Sequence, residues 1–275
     1  MHVLISADME GATGVTCPAD CEPGTEQWQR FRRLSQADVN AAIEGFFDAG
    51  ADGVLVNEAH SSQRNLLLED LDPRATMLTG KHKRLTMMEG VERPEIGAVA
   101  FVGYHAAAGA DGILSHTWLG NSLVGFFLDG ERASEGRLNA ALAREQGRPV
   151  VLVTGDDKTC ADADGYAPAA EKVAVKECVS RYAAICLPPA RTAELIRSAA
   201  AAAPLGERGA ARPEPHRMEI EFDAAQLALM TSCVPGVERL DVRRIGFDSP
   251  TMTEALQCFR VVASIAAGST EPTYG

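Results

Sequence analysis

The sequence predicts an α/β fold: a three-layer arrangement with a mostly parallel central sheet, helices on both faces of that sheet, and a smaller C-terminal α+β part. Short apolar runs rich in valine, leucine and isoleucine alternate over residues 1–203 with segments of helical period, which is typical of a parallel sheet covered by helices. A stretch rich in glycine, proline and arginine then occupies residues 204–215, as a linker or long surface loop would.

Each element before the linker has its own signal. The helix over 26–49 carries Trp28, Phe31 and Phe46 at roughly helical spacing and stops at Gly50, a residue suited to a C-cap. Asp-Gly at 129–130 separates two strand-like runs and predicts a hairpin, because this pair adopts the positive φ angles of a tight turn. The predicted order is strand 3–7, helix 26–49, strand 53–57, strand 98–103, hairpin 124–133, helix 135–146, strand 149–154 and helix 188–203.

The chain after the linker has a simpler pattern. It predicts strand 216–222, helix 224–233, strand 238–247 and helix 252–267. We therefore expect a larger domain over residues 1–203 and a smaller α+β part over residues 204–275, and we expect the smaller part to build contacts between subunits.

The charge of the chain bears on its partners. The formal net charge is −12 and no basic patch is visible, which argues against a nucleic acid as partner. Acidity by itself is common, since many cytoplasmic proteins are acidic simply to stay soluble. A small molecule or a cation is the expected partner.

Other features indicate the compartment. The N-terminal segment reaches Asp8 and Glu10 without the basic and apolar regions of a secretory signal, so we expect a cytoplasmic protein. No apolar stretch approaches the roughly 20 residues of a membrane helix, so no membrane partner is expected. The 7 cysteines are scattered without a C-x-x-C pair, which favours reduced thiols.

Polar side chains lie just after each predicted strand of the central sheet. In parallel α/β sheets, ligands bind beyond the carboxyl ends of the strands, so these side chains should converge on one rim. His116 lies shortly after the third strand. The residues at the four exits are Asp8 and Glu10, then Asn57, Glu58 and His60, then Tyr104 and His105, then Asp156 and Asp157.

Carboxylates and imidazoles without cysteine suit Zn²⁺, Mn²⁺ or Co²⁺, and zinc leads on these grounds. In a two-metal arrangement Asp8 could bridge the ions, with Glu10 and His60 on one and His105 and Glu135 on the other. Two ions about 3.5–4 Å apart activate water and stabilise both the attacking and the leaving group. The pattern therefore indicates a hydrolase.

Ordinary structural roles compete with this interpretation. Asp8 and Glu10 could be solvated acids, and a lone histidine is usually a surface or core residue. Glu135 falls in the first turn of a helix, where the macrodipole already favours an acid. Asp156 could cap the helix that begins beside it. Convergence of several exits on one rim is the feature that favours metal binding.

A group of motifs carries a resemblance to a known family. The motifs cover nearly the whole chain and together resemble the bacterial zinc-dependent D-aminopeptidases, a family often labelled dipeptide transport proteins. They are Asp8-Met9-Glu10-Gly11 with Gly14, Val56-Asn57-Glu58-Ala59-His60-Ser61, Gly103-Tyr104-His105-Ala106, Ser115-His116, Gly155-Asp156-Asp157, and Lys176 with Ser180-Arg181.

The resemblance implies a ligand set, a catalytic residue and an assembly. It implies two zinc ions per subunit, His116 as the catalytic histidine, and a ring-like homodecamer that encloses the sites and admits only short peptides. The chain departs from the family pattern at Glu58, where aspartate is frequent, and in an Ala- and Gly-rich stretch over 106–112. The metal ligands implied are Asp8, Glu10, His60, His105 and Glu135.

The sequence therefore predicts a binuclear zinc aminopeptidase that releases the N-terminal residue of short peptides, D-alanine among the candidates, by attack of a metal-bound hydroxide. We expect His116 to act as a general acid–base rather than as a nucleophile, because a metal-bound hydroxide is the better nucleophile for a peptide bond. A binuclear phosphoesterase is the alternative enzyme, and a non-catalytic peptide-binding protein is the alternative outside enzymes.

Several further residues have two interpretations each. Lys176 and Arg181 could receive a substrate carboxylate or an oxyanion, or could form surface salt bridges. Asn57 could close a turn or hydrogen-bond to a metal ligand. The remaining histidines lie outside the pattern and are expected to be structural or surface residues: His2, His82 and His216.

Overall fold

The computed structural model describes residues 1–206 and 208–270. The strands are β1 (His2–Ala7), β2 (Gly53–Glu58), β3 (Thr76–Leu78), β4 (Ile96–Val102), β5 (Leu123–Leu128), β6 (Glu131–Arg132), β7 (Val150–Asp156), β8 (Glu171–Ser180), β9 (Ala183–Cys186), β10 (His216–Phe222), β11 (Glu238–Arg239) and β12 (Arg244–Ser249). The helices are α1 (Pro18–Cys21), α2 (Glu26–Asp48), α3 (Glu135–Glu145), α4 (Asp157–Tyr166), α5 (Pro189–Ala202), α6 (Ala225–Thr231) and α7 (Met252–Gly268).

The larger sheet has seven strands in the order β3-β2-β1-β4-β7-β8-β9. All neighbouring pairs are parallel except β8 and β9, which are antiparallel. The four predicted central strands are β1, β2, β4 and β7, and they lie next to one another. The predicted fold class, with a mostly parallel central sheet, is confirmed.

Helices cover both faces of this sheet, because residues along its strands alternate in direction. Val3 and Ile5 of β1 pack in one core cluster with Phe46 of α2 and Ile196 of α5. Leu4, between them, belongs to the cluster on the opposite face. That second cluster also contains side chains of α3, α7 and the smaller sheet, which form the third layer.

The smaller sheet is antiparallel, with the order β11-β12-β10-β5-β6. Its central residue Ile220 pairs with Phe126 of β5 on one side and Ile245 of β12 on the other. The hairpin β5–β6, which the Asp-Gly pair predicts, thus joins strands that come after the linker. The division between residues 1–203 and 204–275 stays a prediction.

Several boundaries differ from the sequence prediction. The single strand over 238–247 is wrong: β11 and β12 form a hairpin instead. Leu240 N donates to the carbonyl of Arg244 at 2.8 Å, and the Asp241 side chain accepts from Arg243 N at 2.9 Å, which closes a turn that the apolar pattern does not reveal. The short strand β3, the strands β8 and β9 and the one-turn helix α1 are absent from the prediction.

Within residues 1–206 and 208–270, no helix combines the length and apolarity needed to cross a bilayer.

Candidate metal centre and active-site cleft

The exits of the central strands meet at one level because the strands are in register. Ala7, the last residue of β1, pairs with Glu58 of β2 and with Val102 of β4. Just beyond, Asp8 N donates to the carbonyl of Val102 and Ala59 N donates to the carbonyl of Ala7, both at 2.8 Å. Side chains that come directly after these three strands therefore share one edge of the sheet.

Two glycines let the exits of β1 and β4 touch backbone to backbone. Gly11 N donates to the carbonyl of Gly103 at 2.8 Å, and a Cβ atom on Gly11 would lie 1.8 Å from the carbonyl oxygen of Tyr104. Gly103 has a φ of +75°, and a Cβ atom there would lie 2.4 Å from the carbonyl oxygen of Asp8. Any side chain at either position would push the two loops apart.

The five predicted ligands form one buried cluster. His60 Nδ1 lies 3.3 Å from Asp8 Oδ1 and 2.9 Å from Glu10 Oε2. His105 Nε2 lies 3.5 Å from Asp8 Oδ2 and 3.6 Å from Glu135 Oε2. No residue of the five is more than 9% exposed. Asp8 thus faces one histidine with each of its carboxylate oxygens, which is the arrangement a bridging ligand needs.

Backbone carbonyls hold the histidines from behind. His60 Nε2 lies 2.9 Å from the carbonyl oxygen of Cys21, and His105 Nδ1 lies 3.1 Å from that of Ala106. Because a carbonyl only accepts, these nitrogens carry the ring proton, and the opposite nitrogens present a lone pair or a second proton to the carboxylates. Metal-binding histidines are typically oriented in this way.

The carboxylates and imidazoles shift one another's protonation strongly. Burial, followed by the charge of Glu10, raises the pKa of Asp8 to about 7. Burial alone would lower the pKa of His105, but Glu135, Glu10 and Asp8 outweigh it and raise that pKa to about 10. The pKa of His60 is likewise raised, since Glu10 and Asp8 outweigh burial. The carboxylates of this cluster therefore stabilise a positive charge placed between them.

Unpaired atoms in the cluster fit a bound cation. Among the described residues, Asp8 Oδ2 and His105 Nε2 are buried and lack a hydrogen-bond partner. Buried polar atoms in folded proteins are nearly always paired, so these atoms need a partner outside the chain. Oxygen and imidazole donors suit zinc.

The donor atoms fall into overlapping groups. Within each group the donor atoms lie within 4.8 Å of one another. Two groups meet at Glu10, and two meet at His105. The groups are Asp8, His105 and Glu135; Glu10, Cys21 and His60; and Glu10, His105 and His116. No sequence pattern indicates Cys21, because it lies well beyond the end of β1, in the short helix α1.

His116 lies beside the cluster. Its ring stacks on that of His105 with centroids 4.1 Å apart, and its Nε2 lies 3.7 Å from Glu10 Oε1. Its Nδ1 lies 2.8 Å from the carbonyl oxygen of Leu114, so the proton of the neutral ring is on that side. Burial, followed by the charge of His105, lowers the pKa of His116. The ring is therefore neutral near pH 7 and presents Nε2 to the site.

Lys176 holds the loop that carries Glu10. It is 2% exposed, and its Nζ donates to the carbonyl oxygens of Glu10, Ala12 and Val15 at 2.7, 2.9 and 2.6 Å. Burial lowers the pKa of this ammonium to about 8. Both expectations for Lys176, a substrate contact and a surface salt bridge, are wrong, because backbone acceptors take its three donor positions.

Glu58 shapes the loop that carries His60. Its Oε2 accepts hydrogen bonds from the backbone nitrogens of Asn65 and Leu66, and its Oε1 accepts from Thr79 Oγ1 at 2.9 Å. Asn65 Nδ2 in turn donates to the carbonyl oxygen of His60 at 2.8 Å. The residue that departs from the family pattern is therefore a structural acid rather than a ligand.

Two other exit residues are structural. Asn57 Nδ2 donates to the carbonyl of Thr86 at 3.0 Å and its Oδ1 accepts from Lys83 Nζ at 2.6 Å, so it ties β2 to the segment 83–86 and neither closes a turn nor bonds to a ligand. Asp156 caps α4 by accepting from Thr159 N at 2.7 Å, as the sequence predicts. Its other oxygen accepts from Ile113 N at 2.6 Å and so ties α4 to the loop before His116.

The cluster lines a cleft of about 780 Å³, a size that suits a short peptide. His82, expected to be a structural or surface residue, is exposed on the cleft wall, and His216 pairs with Asp129 at 2.8 Å, as expected of a structural residue. Cleft residues that the sequence did not single out come from α1, from loops, from the turn after β8 and from α7, and no recognisable pattern marks them: Cys21, Lys81, Trp118, Tyr182, Arg260 and Ser264.

The cluster gathers unpaired ligand atoms at the carboxyl edge of a parallel sheet. Metalloenzymes hold ions that activate water with ligand atoms arranged in this way. The fold and site therefore define a metal-dependent hydrolase. The chain belongs to the D-aminopeptidase family, whose model matches residues 1–261.

Comparison with individual proteins agrees with this membership. The chain is 32% identical to a D-aminopeptidase of Bacillus subtilis (strain 168) over 271 residues, 97% of this chain and 98% of that protein. A solved structure of a Zn-dependent D-aminopeptidase from Bacillus subtilis, described as a self-compartmentalizing protease, superposes with a TM-score of 0.91 at 30% identity, covering 98% of this chain and 100% of that one. The protein is a peptidase, and the phosphoesterase and peptide-binding alternatives are not supported.

Proposed function

We propose that this protein is a binuclear zinc aminopeptidase that releases the N-terminal residue, D-alanine among its substrates, from short peptides. The observation that carries the proposal is the position of Asp8, whose two oxygens lie 3.3 Å from His60 Nδ1 and 3.5 Å from His105 Nε2. One carboxylate placed between two imidazoles is the arrangement expected of a ligand shared by two ions.

The proposed ligand set divides around Asp8. Glu10 and His60 hold one ion, and His105 and Glu135 hold the other. Glu135 is fixed for this role, because its Oε1 accepts from Trp118 N at 2.7 Å while Oε2 points to His105. Zinc bound there supplies Lewis acidity and lowers the pKa of water to about 7.

The chain's own contribution to the chemistry centres on His116. Its Nε2 faces the cluster and carries no proton in the neutral ring, so it can accept a proton during attack and return it to the leaving amine. The contact of Nδ1 with Leu114 fixes the ring in this orientation. We do not assign a nucleophilic role, since water activated at the cluster is the simpler nucleophile.

The preference for a D-residue is supported by the names of the two Bacillus subtilis relatives. The Ala- and Gly-rich loop over 106–112 forms part of the surroundings of His116: His116 N donates to the carbonyl of Ala106 at 3.1 Å. A Cβ atom on Gly112 would lie 2.4 Å from the Ala106 side chain, so small residues let this loop fold back tightly. The departure of this stretch from the family pattern therefore bears on loop shape and on the choice of substrate.

We further propose a ring-like homodecamer in which the clefts are enclosed, with residues after the linker in the contacts between subunits. The self-compartmentalizing relative supports the closed assembly. Exposed apolar side chains after the linker, among them Leu229, Leu240 and Val242, support the contact surface. All seven cysteines are free, which supports a reducing, cytoplasmic location.

A substrate panel on zinc-loaded protein tests the proposed function. The panel contains D-Ala-D-Ala, L-Ala-L-Ala, the amides of both alanine enantiomers and a phosphate monoester. We expect release of D-alanine and no release of phosphate. Stoichiometric zinc without hydrolysis of any peptide would contradict the proposal, and hydrolysis of the L-peptides alone would contradict its stereochemistry.

A further inference from the structure

Arg181 places a cation without an acidic partner on the wall of the cleft. It is exposed, it lines the cleft together with His116, and in the described part of the chain it forms no salt bridge. Its guanidinium lies 5.5 Å from the centre of the Tyr182 ring, which is also on the cleft wall. A lone guanidinium facing a substrate cleft is a site for an anion.

The position of Arg181 is fixed relative to the catalytic candidate. One guanidinium nitrogen, Nη2, donates to the carbonyl of Ser115 at 3.0 Å, and the carbonyl of Arg181 accepts from Leu114 N at 2.9 Å. The ring of His116 is held by the carbonyl of the same Leu114. Arg181 and His116 are therefore anchored to one short segment, which keeps the two side chains close to each other.

A second cavity of about 650 Å³ adjoins the cleft. The residues that line both cavities are His116, Gly120 and Arg181. Arg181 thus lies at the boundary between the cleft that contains the five predicted ligands and the second cavity. A ligand that extends from the cluster to this boundary contacts the guanidinium of Arg181.

We propose that Arg181 binds the C-terminal carboxylate of a short peptide whose N-terminal end lies at the cluster, an inference that rests on the proposed function. The guanidinium is planar and can offer a carboxylate two parallel N–H donors. Two extended residues span at most about 7 Å, so a dipeptide with its amine at the cluster carries its carboxylate only a short distance past His116. Arg181 makes the enzyme selective for short peptides with a free carboxylate.

The test compares D-Ala-D-Ala with its C-terminal amide. We expect wild-type protein to have a higher kcat/KM for the free acid. Arg181→Gln should lower kcat/KM for the acid roughly 10- to 100-fold, mainly through KM, because a hydrogen-bonded charge pair is lost, and should leave the amide within about twofold. Arg181→Lys, which keeps the charge without the planar fork, should fall between the two.

The matched control is Arg260→Gln. Arg260 also lines the cleft and also donates to a backbone carbonyl, that of Arg84 at 2.9 Å, but it comes from α7 and, among the described residues, forms no hydrogen bond with the segment 114–116. Its loss should leave the acid-to-amide ratio unchanged. An equal loss for acid and amide in Arg181→Gln, or a wild-type enzyme without preference for the acid, would overturn the inference while the proposed function stands. Hydrolysis of neither substrate by wild-type protein would overturn both.

Discussion

The imidazole rings of His105 and His116 are stacked, with centroids 4.1 Å apart and planes inclined by 4°. Despite this contact the two rings differ in proton affinity. Three carboxylates outweigh burial and raise the pKa of His105 to about 10, whereas burial and the charge of His105 lower the pKa of His116. His105, which faces most of the carboxylates, therefore lies where positive charge is stabilised, and His116 remains a neutral base.

Replacing His116 with glutamine should therefore remove proton transfer without removing metal. We expect kcat to fall by about 10² to 10⁴, the usual contribution of a general acid–base residue, with zinc content unchanged. Steady-state kinetics and elemental analysis of the same preparation measure both quantities. His82→Gln, another histidine of the cleft wall, serves as control and should retain activity. Loss of zinc from the His116 variant would make it a ligand instead.

Replacing Asp8 and replacing Glu10 should remove different amounts of bound zinc. Asp8→Asn should empty both metal positions, because its two oxygens face the two histidines, whereas Glu10→Gln should mainly weaken the position at His60. Elemental analysis after dialysis against zinc at graded concentrations distinguishes a loss of two ions from a loss of one.

Glu145 offers a matched control for these variants. It is a buried carboxylate outside the cluster, and its Oε1 and Oε2 accept hydrogen bonds from Met252 and Thr253. Glu145→Gln should retain both ions. If Asp8→Asn and Glu10→Gln lose equal amounts of zinc, Asp8 is not a shared ligand.

Zinc should stabilise the protein more strongly as pH rises. In the metal-free protein the pKa of His105 is raised from 6.5 to about 10, so the folded chain keeps a proton that the unfolded chain has lost, and stability falls as pH rises above 6.5. Zinc replaces such protons, so its affinity rises over the same range. The Tm difference between zinc-loaded and metal-free protein should widen between about pH 6.5 and 8. A constant difference in calorimetry would contradict this charge balance.

Lys176→Met should destabilise the loop that carries Glu10. The substitution leaves three buried carbonyl oxygens without their donor, and we expect a loss of about 3 kcal/mol in the free energy of unfolding. Urea denaturation of the metal-free protein measures it. Lys158→Met, at an exposed lysine, should change stability by less than about 0.5 kcal/mol. Equal stability of the two variants would show that the loop is held by other contacts.

A charge on the surface after the linker should break the assembly. Val242 is 64% exposed there, and Leu68, in the part before the linker, is 63% exposed. Val242→Asp should lower the molecular mass in solution, whereas Leu68→Asp should leave it unchanged, because burying a charge at an interface is costly. Light scattering after gel filtration measures the mass. The opposite result would place the contacts before the linker.

The strands of the larger sheet were predictable to the extent that they are apolar. β1, β2, β4 and β7 lie in the middle of the sheet and are buried on both faces, which leaves a continuous apolar run in each. β8 carries Lys172, Lys176 and Glu177, which interrupt such a run, and β9 is a strand of only four residues at the edge of the sheet. The hairpin of β11 and β12 depends on a side-chain hydrogen bond that composition does not reveal.

The residue types at the strand exits, and the side of the sheet on which they fall, were determined by the sequence alone, because parallel strands in register deliver the loops after them to one edge. Which of those residues meet is decided by tertiary structure. Glu135 arrives from a helix after the hairpin, Cys21 from the unpredicted one-turn helix α1, and Lys176 from an unpredicted strand. Distances between segments so far apart in the chain depend on tertiary packing, for example on the backbone contact that Gly11 allows. No local sequence pattern predicts these distances.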